Sequence, residues 1–445
     1  KGLVVIAARF QEHVASLKDR FGQVQPAQQL GSVFRVRGLV VEAYGPNLSI
    51  GDLCRIHPKG GEADVLAEVV GFQDQRMLLM PLGEMNRIGP GSTVSAAGRE
   101  ALLPRTEDAK GRILDGLGRP LDGGPEPTID FEARIRRSPL DPFSREPIRN
   151  VFSTGVKAID LFSPVGRGQR MGIFSGSGVG KSTLLGMLVK GGDAEVNVIA
   201  LIGERGREVR EFVENTLGPE DLERSVIIVS TSDQPPMLRL RAAFMATALA
   251  ERFRDEGRRV LFLMDSVTRF AMAQREIGLS VGEPPANRGY PPSVFSLLPR
   301  LLERTGNSRT GSITAFYTIL VEGDDMNEPV TDSVRGILDG HIVLSRAIAT
   351  ANHFPAVDVL ESISRLNTEI CNRRELDLTA RAREHLSIYR KNEDLINIGA
   401  YTPNSNATID RAIEHRNRIM KYLRQDSEER CSRDEAFNDL EELLS

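Results

Sequence analysis

The spacing of apolar positions changes three times along the chain, and each change predicts a different architecture. Up to about residue 27, Ile6, Phe10, Val14, Leu17 and Phe21 recur three or four residues apart, with Arg9, Lys18, Asp19 and Arg20 between them. That period predicts an amphipathic helix whose apolar stripe either docks on its own core or captures a partner. From 28 to about 100 the pattern becomes short β-type runs at 33–44, 53–57, 64–71 and 76–81, with Gly51-Asp52 and Gly60-Gly61 among the breaks. Several short strands within roughly seventy residues predict a small closed barrel.

The glycine-rich stretch 111–123 reads as a strand pair around a turn, followed by a loop through Pro125 and Pro127. Between 101 and 365, almost wholly apolar runs at 196–202, 226–229, 260–264 and 313–321 alternate with helical stretches such as 207–217 and 237–256. This alternation predicts a mainly parallel sheet covered by helices on both faces. Beyond about 366 the strand-like runs stop, and charged helical sequence continues to Ser445. The expected fold is therefore α/β, with a barrel ahead of the core (28–100, then 101–365) and a helical C-terminal domain (366–445).

Within the core, residues 171–185 carry the most specific chemistry. An apolar run ends at Phe174, the loop Ser175-Gly176-Ser177-Gly178-Val179-Gly180 follows, and Lys181-Ser182-Thr183 opens a helix. Glycines leave successive backbone N–H groups free to point at one phosphate, and the helix dipole adds positive charge there. Lys181 supplies a full charge for the β- and γ-phosphates, and the Ser182 hydroxyl suits magnesium. Ser175 replaces the first glycine of the usual Gly-x-x-x-x-Gly-Lys-[Ser/Thr] pattern, at a position read here as a tight turn.

Two further strand ends complement the loop. Asp265 closes the run 260–264, where a carboxylate faces the phosphate loop of an open α/β sheet and holds magnesium. Arg269, one helical turn later, is placed either for the γ-phosphate or for a structural ion pair. Glu204 follows the run 196–202, where it can orient and polarise a water for in-line attack. Arg205 is placed to neutralise phosphate charge, and Glu208 to assist at the magnesium shell.

Composition narrows the partners. The chain has 445 residues, 40% apolar and 27% charged, as in ordinary soluble proteins. A formal charge of -4 gives no general attraction for nucleic acid or an anionic membrane, and the barrel has few aromatics for stacking bases. Cys54, Cys371 and Cys431 lie far apart without metal-type spacing, which predicts a reducing cytoplasm with no disulfide or zinc framework. No apolar run approaches the roughly 18 residues needed to span a bilayer, and no cleavable signal pattern is visible.

From 33 to about 401 the chain resembles the rotary ATPases and their relatives with a RecA-like P-loop core. Pro355-Ala356-Val357-Asp358 through Ser362-Ile363-Ser364 fits that superfamily's signature, and 111–123 is similar to the linker after its barrel. Within the superfamily, several stretches resemble the type III export ATPases, with flagellar members the closest fit. They are Val165-Gly166-Arg167-Gly168-Gln169-Arg170, Gly203-Glu204-Arg205-Gly206-Arg207-Glu208-Val209, Gly282-Glu283-Pro284-Pro285, Gly289-Tyr290-Pro291-Pro292, the run 321–329 and Asp339-Gly340-His341-Ile342.

The resemblance implies an ATPase that uses ATP and Mg2+ and energises type III protein export in flagellar assembly. It gives Lys181 and Ser182 phosphate and magnesium, Glu204 the water, and Arg205 and Arg269 the γ-phosphate. Arg365 matches an arginine finger inserted by a neighbouring subunit, with a helix-cap salt bridge as the other reading. Phe354 matches an adenine-stacking aromatic, and Tyr401 serves either as the opposite wall or as core. Implied partners are five further identical chains in a homohexamer, a stator-like dimeric regulator at the N-terminus and a coiled-coil stalk protein. Export-gate membrane proteins and export substrates with their chaperones complete the set, without nucleic acid. The implied location is the cytoplasm, peripherally at the inner membrane. Alternatives are a virulence injectisome ATPase, an ATP synthase catalytic subunit, a hexameric RNA translocase and a pure ATP-binding module.

Overall fold

The computed structural model of the chain describes residues 29–61, 63–97, 102–321, 323 and 325–445. The amphipathic helix expected before residue 28 lies outside the described residues. Two compact units divide the chain at Arg99 and Glu100, and each is described by itself.

The first unit is a closed barrel of six antiparallel strands. They are β1 (Leu30–Arg37), β2 (Val40–Tyr44), β3 (Leu53–His57), β4 (Val65–Gln73), β5 (Arg76–Pro81) and β6 (Thr93–Ala96). Their order around the barrel is β1-β2-β5-β4-β3-β6. Val33, Val41, Ile56, Val69, Leu79 and Val94 fill the interior, as period-two alternation requires. The single run expected at 33–44 is a hairpin instead. Gly38, at φ +54, supplies the left-handed turn that a run-based reading passes over.

The second unit is built on a nine-stranded sheet. Its strands are β8 (Ile113–Asp115), β12 (Arg170–Ser175), β13 (Val196–Ile202), β14 (Ser225–Ser230), β15 (Arg259–Asp265), β16 (Gly306–Asn307), β17 (Ser312–Leu320), β18 (Gly340–Leu344) and β19 (Ile363–Ser364). The order is β19-β18-β12-β17-β15-β13-β14-β8, with β16 paired to β17. All pairings from β18 across to β8 along this path are parallel, and β19 is antiparallel at the edge. Every residue of β13 and β14 is buried, which is why those runs carry no alternation. Two small antiparallel pairs stand apart: β7 (Leu102–Pro104) with β9 (Ile129–Arg134), and β10 (Val151–Phe152) with β11 (Val165–Gly166).

The expected strand pair at 111–123 becomes one strand. β8 joins the main sheet beside β14, and the return arm touches it through a single bridge, Leu114 to Pro120. Asp115 accepts hydrogen bonds from the N–H groups of Leu117 and Arg119, which fixes the turn. Pro120 has no N–H with which to extend a ladder.

Helices Lys181–Gly191, Pro236–Asp255 and Val267–Ser280 pack against the sheet. The stretch expected as one helix at 207–217 is Gly206–Glu211, widening into a π-helical turn over Phe212–Thr216. Three C-terminal helices follow at Arg373–Asn397, Ala407–Leu423 and Arg433–Leu444. Asn372 with Glu375, and Ser432 with Glu435, form reciprocal capping boxes on the first and third. Each such cap contributes about 1 kcal/mol. Leu378, Leu386, Ile419, Leu423 and Phe437 join the same apolar core as the phosphate-loop helix.

Candidate active site

β12, β15 and β13 end on one side of the sheet, so the parallel register brings the phosphate loop and two acids together. Ser175 is the last residue of β12, paired with Leu320 and Leu344, and its C=O accepts from the Val321 N–H at 3.0 Å. The tight turn expected at this position is absent. Extended backbone accepts a Cβ without strain, which explains why serine replaces glycine. The left-handed residues come later, at Gly178 (φ +76) and Gly180 (φ +90). A Cβ on Gly180 would stand 3.3 Å from Phe354 Cδ1, so glycine there admits both the turn and the aromatic ring.

Gly180 caps the helix Lys181–Gly191, and Lys181 is its first residue. Lys181 Nζ donates to Asp265 Oδ1 at 2.5 Å and reaches Glu204 Oε1 at 3.5 Å. Burial alone would lower the ammonium's pKa, but the charges of Asp265 and Glu204 outweigh it and raise the value. Thr318, on β17 between β12 and β15, donates its hydroxyl to Asp265 Oδ1 at 2.7 Å. Nothing in the sequence pattern singles out Thr318. Ser177, Ser182 and Thr183 are exposed, while Ser175, Gly176 and Val179 are buried.

Burial pushes the Glu204 carboxyl up to about 7, helped by Asp265 and opposed by Lys181; a hydrogen bond with Glu208 adds to the rise. Gly203, at φ +72, has no side chain where a Cβ would stand 2.7 Å from Arg269 Cβ. Arg269 therefore lies against the strand end that carries Glu204. Arg205 is not gathered into this cluster. Its side chain is exposed and approaches Glu208 at 3.7 Å.

Phe354 is wedged between the phosphate loop and the C-terminal domain. Its C=O accepts from the Gln425 N–H at 3.0 Å. The buried Gln425 amide accepts from the Lys157 N–H at 2.9 Å and donates to Gly155 O at 2.7 Å and Glu429 O at 2.9 Å. Tyr401 spends its hydroxyl on Asn406 O and on Asp410 Oδ1 in the first turn of the helix that follows. Gln425 is thus tied to Phe354 through its backbone, while its side chain ties the same segment to Lys157 and Gly155. It follows the second C-terminal helix, far from the loop in sequence, with no motif to announce it.

Arg365 stands at the opposite end of the strands. Its N–H donates to Asp339 O, and the Asp339 N–H donates to Arg170 O, level with the start of β12. The phosphate loop begins after the end of β12, about 17 Å away at roughly 3.3 Å per residue. The exposed Arg365 side chain donates to Arg335 O at 3.2 Å, on the sheet edge.

The donor set fits a nucleotide with its cation. Open glycine backbone, a helix N-terminus and Lys181 meet phosphate, while the Ser182 hydroxyl and the Asp265 carboxylate are hard oxygen ligands of the kind magnesium takes. A parallel sheet with this loop and acids on neighbouring strands defines a P-loop nucleotide-binding core of the RecA-like kind. Residues 155–364 match the ATP synthase alpha/beta family nucleotide-binding domain, and 33–98 match that family's beta-barrel domain. Residues 371–442 match the T3SS EscN ATPase C-terminal domain. The "Flagellum-specific ATP synthase" of Bacillus subtilis (strain 168) is 53% identical over 429 residues, covering 96% of this chain and 98% of that one. The "Type 3 secretion system ATPase" of Xanthomonas euvesicatoria is 45% identical, covering 93% and 94%. The assembled ATPase EscN of enteropathogenic E. coli superposes with a TM-score of 0.88 at 42% identity, over 93% of this chain and 100% of that one. The chain belongs to the ATP synthase alpha/beta family, within its type III export ATPase branch.

Proposed function

We propose that the chain hydrolyses ATP as one member of a ring of identical copies, a homohexamer, and so energises type III protein export in flagellar assembly. The observation that carries this reading is the placement of Lys181 between Asp265 and Glu204. An ammonium held by two carboxylates at a glycine loop is poised to exchange one of them for phosphate oxygens. Mg2+, when bound through Ser182, Asp265 and the neighbourhood of Glu208, neutralises charge on the β- and γ-phosphates.

With Lys181 engaged on phosphate, Glu204 loses its cation and keeps its buried, acid-flanked setting. A carboxyl raised towards neutrality suits a group that takes a proton from the attacking water. The water oxygen bonds to the γ-phosphorus as the bond to the ADP oxygen breaks. Arg269 lies against the same strand end, where its guanidinium offsets charge on the transferred group. Phe354 stacks on adenine, and Gln425 holds that wall in place.

Arg365 acts on the site of the next copy. Its distance from its own phosphate loop, and its exposure on the sheet edge, support this reading. The solved relative of enteropathogenic E. coli is described as assembled, and another as in complex with its central stalk EscO. A homohexamer around a coiled-coil stalk is the matching arrangement here. The regulator at the N-terminal segment, the export-gate membrane proteins and the substrates with chaperones complete the assembly. We place it in the cytoplasm at the inner membrane; no helix among the described residues is long and apolar enough to cross a membrane.

An injectisome role is the second reading, because relatives named as type 3 secretion system ATPases match almost as fully. The test is phosphate release from ATP by the purified chain, with Mg2+ and with EDTA, for wild type and Glu204→Gln. Mg2+-dependent release that the substitution abolishes supports the proposal. Tight ATP binding without release by the wild type overturns it. Disruption of the gene in its host, with loss of filaments or of injected effectors as the readout, separates the two export systems.

A further inference from the structure

A cavity of about 680 Å³ lies between the segment 345–360 and the C-terminal helices Arg373–Asn397 and Ala407–Leu423. This is the size of a small-molecule site. Its walls are mostly apolar, from Ala347, Ile348, Val357, Leu360, Leu386 and Met420. Lys181, Ser182, Glu204 and Asp265 do not line it, so it is separate from the phosphate site.

The charges on its walls are unbalanced. Arg390 is held by Asp358 through two contacts of 2.8 Å and by Glu361, outside the lining, at 3.1 Å, so it offers no free positive charge. Arg416, Lys421 and Arg424 also line the cavity, and none of them has an ion-pair partner among the described residues. Glu393 is the one remaining acid on the lining, which leaves an excess of two positive charges. Arg416 packs over the Tyr389 ring at 4.6 Å, which keeps its guanidinium at the wall. His353, also on the lining, has its pKa lowered, first by burial and then by the charges of Arg424 and Arg416. Arg416 is half-buried at the wall, and Lys421 and Arg424 stand at its exposed rim.

We propose that this cavity is a binding site for a small organic anion with an apolar body, such as an aryl or acyl sulfonate, carboxylate or phosphate. The body fills the space between Ile348, Leu386 and Met420, and the anionic head meets Arg416, Lys421 and Arg424. An occupant bridges the core segment 345–360 and two C-terminal helices. It therefore stabilises the helical domain against the core.

The experiment uses the full chain and 8-anilinonaphthalene-1-sulfonate as the probe, followed by fluorescence titration and by the thermal midpoint. The expected result is one saturable site per chain and a raised midpoint. The neutral body, N-phenyl-1-naphthylamine, should bind about tenfold more weakly or worse, since a lost charge-assisted contact is worth roughly 1.4 kcal/mol or more. Lys421→Gln and Arg424→Gln, both at exposed positions, should each weaken the sulfonate and leave the neutral compound unchanged. Ala351→Trp, which fills the cavity, should abolish both. Equal affinity for the charged and neutral probes, or unchanged sulfonate binding in the two glutamine variants, overturns the proposal. Displacement of the probe by saturating ATP also overturns it, because the cavity would then be part of the nucleotide site.

Discussion

Lys181 Nζ stands 2.5 Å from Asp265 Oδ1, so the first residue of the helix after the glycine loop is held by an acid from a strand two places away in the sheet. Glu204 approaches the same ammonium at 3.5 Å. The charge of the ammonium is thus matched by carboxylates that two other strands bring to it. Binding of an anionic ligand must break this pairing.

Replacing Lys181 with Met should abolish turnover and also lower stability in the absence of nucleotide. Two largely buried carboxylates would then face each other without a cation. The cost should be on the order of 2–3 kcal/mol, below the roughly 3–5 of a fully buried broken pair because the site is partly open to water. Denaturant unfolding of the apo protein measures it. The double variant Lys181→Met with Glu204→Gln should recover much of that loss, because one of the opposed charges is removed.

The raised pKa of Glu204 fixes a sign for pH dependence. Its folded value, about 7, lies above the ordinary 4.5. A raised carboxyl favours folding in its protonated form, so its contribution is fully present below about 4.5 and is lost as pH rises through about 7. The thermal midpoint of the nucleotide-free chain should therefore fall across this window more steeply in wild type than in Glu204→Gln. Parallel midpoint curves would show that Glu204 ionises normally in the fold.

Gln425→Ala keeps the backbone N–H that bonds Phe354 O but removes the side-chain ties to Lys157 and Gly155 that hold this backbone in place. It should therefore raise the KM for ATP several-fold with little change in kcat. It should also destabilise the chain by about 1–3 kcal/mol, since the Lys157 N–H and the Gly155 C=O lose their partner. Gln425→Glu keeps the acceptor and loses both donors, and should fall between. Tyr401→Ala should leave KM unchanged, because Tyr401 is tied through its hydroxyl to Asn406 O and Asp410 Oδ1 and not to Phe354. A larger KM effect from Tyr401→Ala than from Gln425→Ala would reverse this assignment of the adenine wall.

Much of the core was legible because buried parallel strands write themselves as unbroken apolar runs. β13 occupies the expected 196–202, and β15 and β17 differ from expectation by a residue at either end. The phosphate loop was legible because glycine, lysine and serine each have a local reason to be there. What escaped depends on contacts between distant segments. Sequence shows that Asp265 ends a strand, but not that β17 inserts between it and the phosphate loop and brings Thr318 to its oxygen. Gln425 escaped because a lone glutamine after a helix carries no pattern. Arg205 was expected at phosphate because it follows Glu204, yet the chain turns into a helix there and leaves the guanidinium in solvent.

Arg365 tests the central claim, that a complete site needs two copies of the chain. Its backbone is level with the start of β12, and the loop it would serve lies at the other end. Arg365→Ala should lose about 10³–10⁵-fold in turnover, as other arginine fingers do. ATP binding by the isolated chain should be unaffected.

The most direct measurement mixes two inactive proteins. Glu204→Gln and Arg365→Ala, each nearly dead alone, are combined at fixed total concentration and ATP turnover is followed. The account predicts partial recovery, greatest near equal proportions, because some interfaces then join an intact Glu204 to an intact Arg365. Turnover per chain should also rise cooperatively with concentration in the wild type. An Arg365→Ala protein that is active alone, or mixtures that never exceed the sum of their parts, would contradict the account.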